Sequence, residues 1–228
     1  MESVAIMQPT YFPWVGYFAL MDSVDTFVVL DSVQFSKRSW QQRNQIKTES
    51  GPKWLTVPVI SKGKRDQLIS DVQIDYSGKF PESHIRMIEQ NYRKTPFFSN
   101  YSEDFFNVLR KNHEYLSLLS IDLILLIKDL LDIKTKIKYS SDLIAKGSKD
   151  ELLAELCKYV GATEYVSPQG SKVYLDDSNS FIKRNIPVKY FDYKHPNYPQ
   201  SHSDFIQYMS VIDLLFSCGP ESKIFLIN

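Results

Sequence analysis

Two short apolar runs near the start of the chain, Val4-Ala5-Ile6-Met7 and Thr26-Phe27-Val28-Val29-Leu30, constrain the fold more than any other feature. Each is too short for a core helix and too continuous for a strand with one wet face, so each reads as a strand buried on both sides. Gln8-Pro9 stops the first run, and Pro9 and Pro13 stiffen the connection that follows. From Trp14 to Ser23 the spacing of Tyr17, Leu20, Met21 and the adjoining Val24 is helical. Two buried strands joined by a helix predict a right-handed βαβ unit with parallel strands. Ligands of such sheets bind beyond the carboxyl ends of the strands. Residues 8–11 and 31–35 are therefore expected beside one crevice.

The pattern then changes. Residues 42–75 read as a basic β insert with short strands at 45–47, 54–60 and 72–74, and turns at Gly51-Pro52 and 62–65. Residues 80–132 read as a helical segment, with helices at 81–93, 101–110 and 116–131. Past Ile133 strands return at 135–139, 164–167 and 188–193. A helix at 149–159 closed by Gly161, and another capped by Ser210 and reaching Phe216, alternate with them. The predicted class is α/β: a parallel sheet built from the N-terminal βαβ unit plus the C-terminal strands. Neither β-rich end has enough strands alone, so residues 1–228 are expected to form one domain carrying the insert and the helical segment.

At 228 residues and 43% hydrophobic content, one large core needs no metal or disulfide to hold it. Cys157 and Cys218 form no CxxC pair and fit a reducing compartment, with Cys157 among core leucines. Residues 3–21 carry no charge, but Gln8, Pro9 and Pro13 interrupt them and no basic residue precedes them, unlike a signal peptide. Residues 116–131 include Asp122, Lys128 and Asp129, which argues for a core helix and against a membrane span. A cytoplasmic protein is expected. Acidic and basic residues balance at 27 each, so no global basicity points to DNA. Locally the balance breaks. Between Asp31 and Arg65 eight basic residues meet two acidic ones, which draws an anionic ligand or marks an ordinary solvated surface.

Four segments carry candidate chemistry. In residues 8–18, Gln8 can donate and accept at a strand end, which suits a sugar hydroxyl, a carboxamide or a base edge. Gly16 allows close backbone approach at a helix start, where free N–H groups suit a phosphate, and Tyr11 and Tyr17 add hydroxyls. In residues 31–44, Asp31 can hold an amine or a sugar hydroxyl, or Mg²⁺ alongside a nucleotide, while Lys37, Arg38 and Arg43 can clamp phosphates. Gln34 and Asn44 flank them, and a solvated turn with an Asp–Arg pair is the competing view. In residues 167–172, Gln169, Gly170 and Lys172 can form an anion nest or a plain turn, and no Walker motif is present. In residues 192–200, His195 is a candidate general base or a structural histidine, with Tyr198 beside it. His84, His113 and His202 are scattered without metal-ligand spacing, so no metal site is expected.

These residues are identified together with a family. VAIMQPTYFPWVGYF (4–18), DSVQFSKRSWQQRNQIKT (31–48), WLTVPV (54–59), GATEYVSPQGSKVYLDD (161–177), YKHPNYPQ (193–200) and SVIDLLFSCGPES (210–222) resemble the WbqC-like proteins. Those proteins are found among genes for bacterial O-antigen and other surface polysaccharides. The resemblance implies a sugar-modifying transferase that places an amino acid or acyl group on a nucleotide-linked amino sugar. A glycosyltransferase of the same pathway is less favoured, because no DxD occurs. A noncatalytic partner, or a binder of charged tRNA reached through the basic insert, is the third reading. The strand, turn, helix and strand order is also similar to pantothenate synthetase and related nucleotidyl-transferring enzymes, which implies ATP with Mg²⁺ as a candidate cofactor. Their HxGH signature falls on Trp14-Val15-Gly16-Tyr17, where only Gly16 agrees.

Overall fold

The computed structural model describes residues 2–64, 66–176, 178–202 and 204–226, so Arg65 and Asp177 lie outside the described residues. In chain order the strands are β1 (Ser3–Met7), β2 (Thr26–Val29), β3 (Arg43–Thr48), β4 (Gly51–Thr56), β5 (Lys136–Tyr139), β6 (Glu164–Pro168) and β7 (Val188–Phe191). The helices are α1 (Val15–Asp22), α2 (Glu82–Tyr92), α3 (Phe98–Arg110), α4 (Leu116–Leu130), α5 (Lys149–Tyr159), α6 (Lys172–Leu175), α7 (Asn179–Ile182) and α8 (Val211–Cys218). Five strands form one parallel sheet in the order β5-β2-β1-β6-β7, and β3 and β4 pair separately as an antiparallel hairpin.

The predicted βαβ unit is present, with Val4 to Met7 of β1 in register with Thr26 to Val29 of β2. Strand alternation sends side chains to two cores. Ala5, Phe27 and Val29 pack on one face with α1 to α4 and α8. Val4, Ile6 and Val28 pack on the other with α5 and the short α6 and α7. The split follows from crossover handedness. Connections stepping from β1 to β2 to β5 run one way, and those stepping from β5 to β6 to β7 run the other. Right-handed crossovers must then place their helices on opposite faces. The reversal falls between β1 and β6.

Two details of the insert differ from the sequence expectation. The hairpin turn sits at Glu49-Ser50, two residues before the predicted Gly51-Pro52, since Thr48 pairs with Gly51. The strand predicted over 54–60 ends at Thr56, because Pro58 has no N–H for a ladder. Pro58 instead accepts from the Asp75 amide at 2.9 Å. Residues 72–74 form only single bridges, to Tyr115 and Val59. Among the described residues no helix is long and apolar enough to cross a membrane.

Candidate functional site at the sheet reversal

Where neighbouring parallel strands send their connections to opposite faces, the chain leaves a crevice at their carboxyl ends. Here that point lies beyond Met7 of β1 and Pro168 of β6, and two clefts open on either side of it. The first, about 390 Å³, lies on the α5 side and is lined by Gln8, Trp40, Tyr165, Ser167, Ser171 and Tyr174 among others. It continues past Leu30, Leu153 and Tyr174 into a wider opening of about 680 Å³ that reaches Gln34, Lys149 and Asp150. The second, about 290 Å³, lies on the α1 side between Trp14, Tyr17, Phe191 and Tyr193. Met7, Pro168 and Gly170 wall both.

Gln8 stands at the mouth of the first cleft. Its Oε1 accepts from Gln41 Nε2 at 2.8 Å, and Gln41 Oε1 accepts from the Ser36 amide at 2.8 Å. This amide chain fixes the loop after β2 against the end of β1. The floor is made of hydroxyls. Ser167 Oγ lies 2.5 Å from Ser171 Oγ and 3.3 Å from the Tyr165 hydroxyl, while Ser171 donates to the Pro168 carbonyl at 2.6 Å. Trp40, 49% exposed, forms the outer wall, 5.3 Å from the exposed Trp54 between ring centroids. Arg43 lies 4.1 Å over the Trp54 ring, and its buried Nε has no partner. Aromatic faces, neutral hydrogen-bonding groups and nearby cations suit a polar ligand with apolar ring faces and a negative charge.

The other sequence candidates lie as follows. Asp31 is buried and lines neither cleft; its carboxylate accepts from Ser140 Oγ at 2.9 Å, the Ser141 amide at 2.9 Å and Ser141 Oγ at 2.8 Å. It ties the end of β2 to the end of β5. His195 stacks on Trp14 at 5.9 Å; Nδ1–H donates to the Pro196 carbonyl at 2.8 Å, and Nε2 accepts from the Tyr208 amide at 3.1 Å. Burial lowers its pKa, so it stays neutral near neutrality with both nitrogens engaged. Tyr11 turns into the core, its hydroxyl 2.9 Å from His84 Nδ1, and burial holds it well above the usual phenol range. Asn44 donates to the Phe12 carbonyl at 2.6 Å. Tyr198 donates to Asp213 at 2.9 Å.

Gly16 lines the second cleft, but the close approach it permits is internal: a side-chain carbon there would come within 2.1 Å of the Trp14 indole. The segment matching the HxGH signature is thus filled by an aromatic ring, and these residues do not fit a triphosphate. Gly170 belongs to the wall between the clefts, and Gln169 lines the second. Lys172 lies with its ammonium 5.6 Å over the Tyr190 ring, while Lys37 and Arg38 are exposed on the loop after β2. Among the described residues no group of three or more His, Cys, Asp or Glu converges as a metal site. Sequence reasoning passed over Tyr165, Tyr174 and Gln41 of the first cleft and Phe191 of the second. The period-2 pattern of β6 and β7 flags Tyr165 and Phe191 only once the strand order is known.

The family model described as the WbqC-like protein family matches residues 8–224. The uncharacterized protein Rv1507c of Mycobacterium tuberculosis is 38% identical over 228 residues, covering 99% of this chain and 98% of that protein. No solved structure matches.

Proposed function

The chain belongs to the WbqC-like protein family, and from that premise we propose that it is a transferase of surface-polysaccharide biosynthesis. It joins an amino acid or other acyl group to a nucleotide-linked amino sugar as an amide. The observation that carries this reading is the first cleft, where Gln8, Ser167 and Ser171 face aromatic walls at the sheet reversal. Hydroxyls and a carboxamide suit sugar hydroxyls, because each can donate or accept as the ligand requires. Trp40 and Tyr174 offer flat faces for a sugar or base ring. Lys37 and Arg38 on the adjoining loop and Arg43 at the start of β3 steer the diphosphate electrostatically.

In the reaction the sugar nitrogen attacks the acyl carbonyl, a C–N bond forms, and the bond to the leaving group breaks. The ammonium proton passes to the departing group. Gln8 serves as a positioning residue for the sugar, held by Gln41. Calorimetric titration with UDP- and dTDP-linked amino sugars tests the binding. Micromolar to millimolar binding is expected, weakened about tenfold by Gln8→Ala, the order of one lost hydrogen bond. No heat with any of these sugars defeats the proposal.

A second reading draws on the exposed Trp40 and Trp54 beside Arg43. Aromatic faces next to cations form stacking platforms for single-stranded nucleic acid, which fits binding the acceptor end of a charged tRNA as the amino-acid source. Affinity for charged tRNA that falls steeply with salt supports it; salt-independent or absent binding removes it.

A further inference from the structure

The second cleft is walled differently from the first. Met7, Trp14, Leu20, Phe191 and Tyr193 give it apolar and aromatic surface, and among the described residues its lining includes no lysine or arginine. Phe191 and Tyr193 are near parallel at 6.0 Å, and Trp14 meets Tyr193 edge-on at 5.8 Å. Tyr193 is fixed by its hydroxyl donating to the Phe225 carbonyl, while Trp14 packs against Gly16 on one side and stacks on His195 at 5.9 Å. The rings are therefore set in place before any ligand arrives. Trp14, Phe191 and Tyr193 are nonetheless only half-buried, so they hold ring surface open to water.

Apolar surface in a concave, preformed site is stabilised most by an apolar group that displaces its water. A cavity of roughly 150 Å³ is enough for benzene, and this one measures about 290 Å³. It therefore has room for a ring or a branched chain of about six carbons. Its position identifies the occupant. Met7, Pro168 and Gly170 wall both clefts, so a group seated here lies against whatever fills the first. A hydroxyl-floored cleft for the sugar and an aromatic cleft beside it suit two reactants of opposite polarity. We infer that the second cleft binds the uncharged, apolar side chain of the acyl group, which leaves the acyl carbonyl at the shared wall, facing the sugar. The role as donor site rests on the amide-forming reading; the binding of an apolar acyl group does not.

Fluorine NMR on the full chain carrying 5-fluorotryptophan tests it. The three tryptophans give three resonances, assigned with Trp40→Phe and Trp54→Phe. Trp14 lines the second cleft and Trp40 the first, so each cleft has its own reporter. Hexanamide, N-acetylleucinamide and N-acetylphenylalaninamide are titrated against the smaller propionamide and N-acetylglycinamide. At least one apolar probe is expected to move the Trp14 resonance and to bind at least about tenfold tighter than its smaller counterpart, at about three- to fourfold per buried methylene. Preference for hexanamide identifies a fatty acyl group, and preference for the leucine or phenylalanine derivative identifies an amino acid. Phe191→Ser is expected to weaken the best probe about tenfold and Phe191→Leu no more than about threefold, each checked for native circular dichroism. Should Phe191→Ser not fold, the Trp14 readout decides alone. A Trp14 resonance that no apolar probe moves, equal binding of large and small probes, or full binding by a folded Phe191→Ser overturns the inference. A UDP-linked amino sugar added to the same sample is expected to move Trp40. Its failure to do so, with the apolar probes still moving Trp14, defeats the transferase reading and leaves the acyl-binding cleft standing.

Discussion

His84 is the residue whose setting has the clearest thermodynamic consequence. It is buried among Phe80, Tyr11 and the hairpin, and burial pulls its pKa from 6.5 down to about 4. The unfolded chain therefore binds this proton more readily than the folded one. Its contribution is undiminished above the unfolded pKa and is lost as pH falls from about 6.5 towards 4, by about 3 kcal/mol in all. Urea denaturation at neutral pH and at a pH near 4 checks this. The acid loss is expected to shrink by about 2–3 kcal/mol in His84→Gln relative to the native chain. An identical loss in both would show that His84 does not titrate on unfolding. Asp31 gives a second test. Its sequence position suggests a reactive carboxylate, yet in the structure Ser140 and Ser141 occupy it. Asp31→Asn turns an acceptor into a donor facing other donors, so unfolding free energy is expected to drop by about 1–3 kcal/mol. Unchanged stability would mean those bonds are not held in solution. Gly16→Ala is expected to cost about 1–3 kcal/mol by displacing the Trp14 ring, read by denaturation together with a shift in tryptophan emission.

Elements were legible in proportion to how far local pattern decides them. β1, α1 and β2 were readable because a continuous apolar run and a helical repeat each permit few alternatives. α5 was readable with its bounds, since Lys149–Tyr159 has the helical period and Gly161 beyond it adopts φ +77°. The start of α6 was readable from the Pro-Gln-Gly turn and the Ser171-Lys172 pair that opens it, but the short α7 was not, because four residues carry no period. The hairpin was read as too much strand, because apolar alternation over 54–60 outweighed the missing N–H of Pro58. No local pattern announces what anchors that hairpin. Tyr92 of α2 and Tyr198 both donate to the fully buried Asp213 of α8 at 2.9 Å, and the Lys47 amide of β3 donates to the Tyr92 hydroxyl at 2.9 Å. Lys47 Nζ reaches the Asp204 carbonyl at 2.5 Å. Burial raises the Asp213 pKa while the two tyrosines lower it. Asp213→Ala leaves two buried tyrosine hydroxyls without their acceptor, and a loss of about 2–4 kcal/mol is expected from thermal unfolding. A loss below about 1 kcal/mol would show the network to be incidental.

For the whole molecule, the strand order decides where chemistry can occur. A chain that builds outward from β1 in one direction and then returns to build in the other leaves its crevice between β1 and β6. The sequence located one rim of it, since the βαβ pattern of the first thirty residues places Gln8 beside the crevice. The opposite rim needs β6 beside β1, a pairing of residues about 160 apart that no local signal encodes. That is why Gln8, Gln34, Gly16 and Gly170 were named as site residues and do line the clefts, whereas Asp31 and His195, chosen for reactivity, are tied to neighbours. Net charge is zero, yet the basic residues cluster on the loop and hairpin beside the first cleft, so anion binding there is expected to weaken with salt. The most direct test is a crystal structure of the chain soaked with a UDP-linked amino sugar. Sugar density against Gln8, Ser167 and Ser171, with the ring near Trp40, is the outcome this account requires. Density at another surface, with both clefts holding only water, would contradict it.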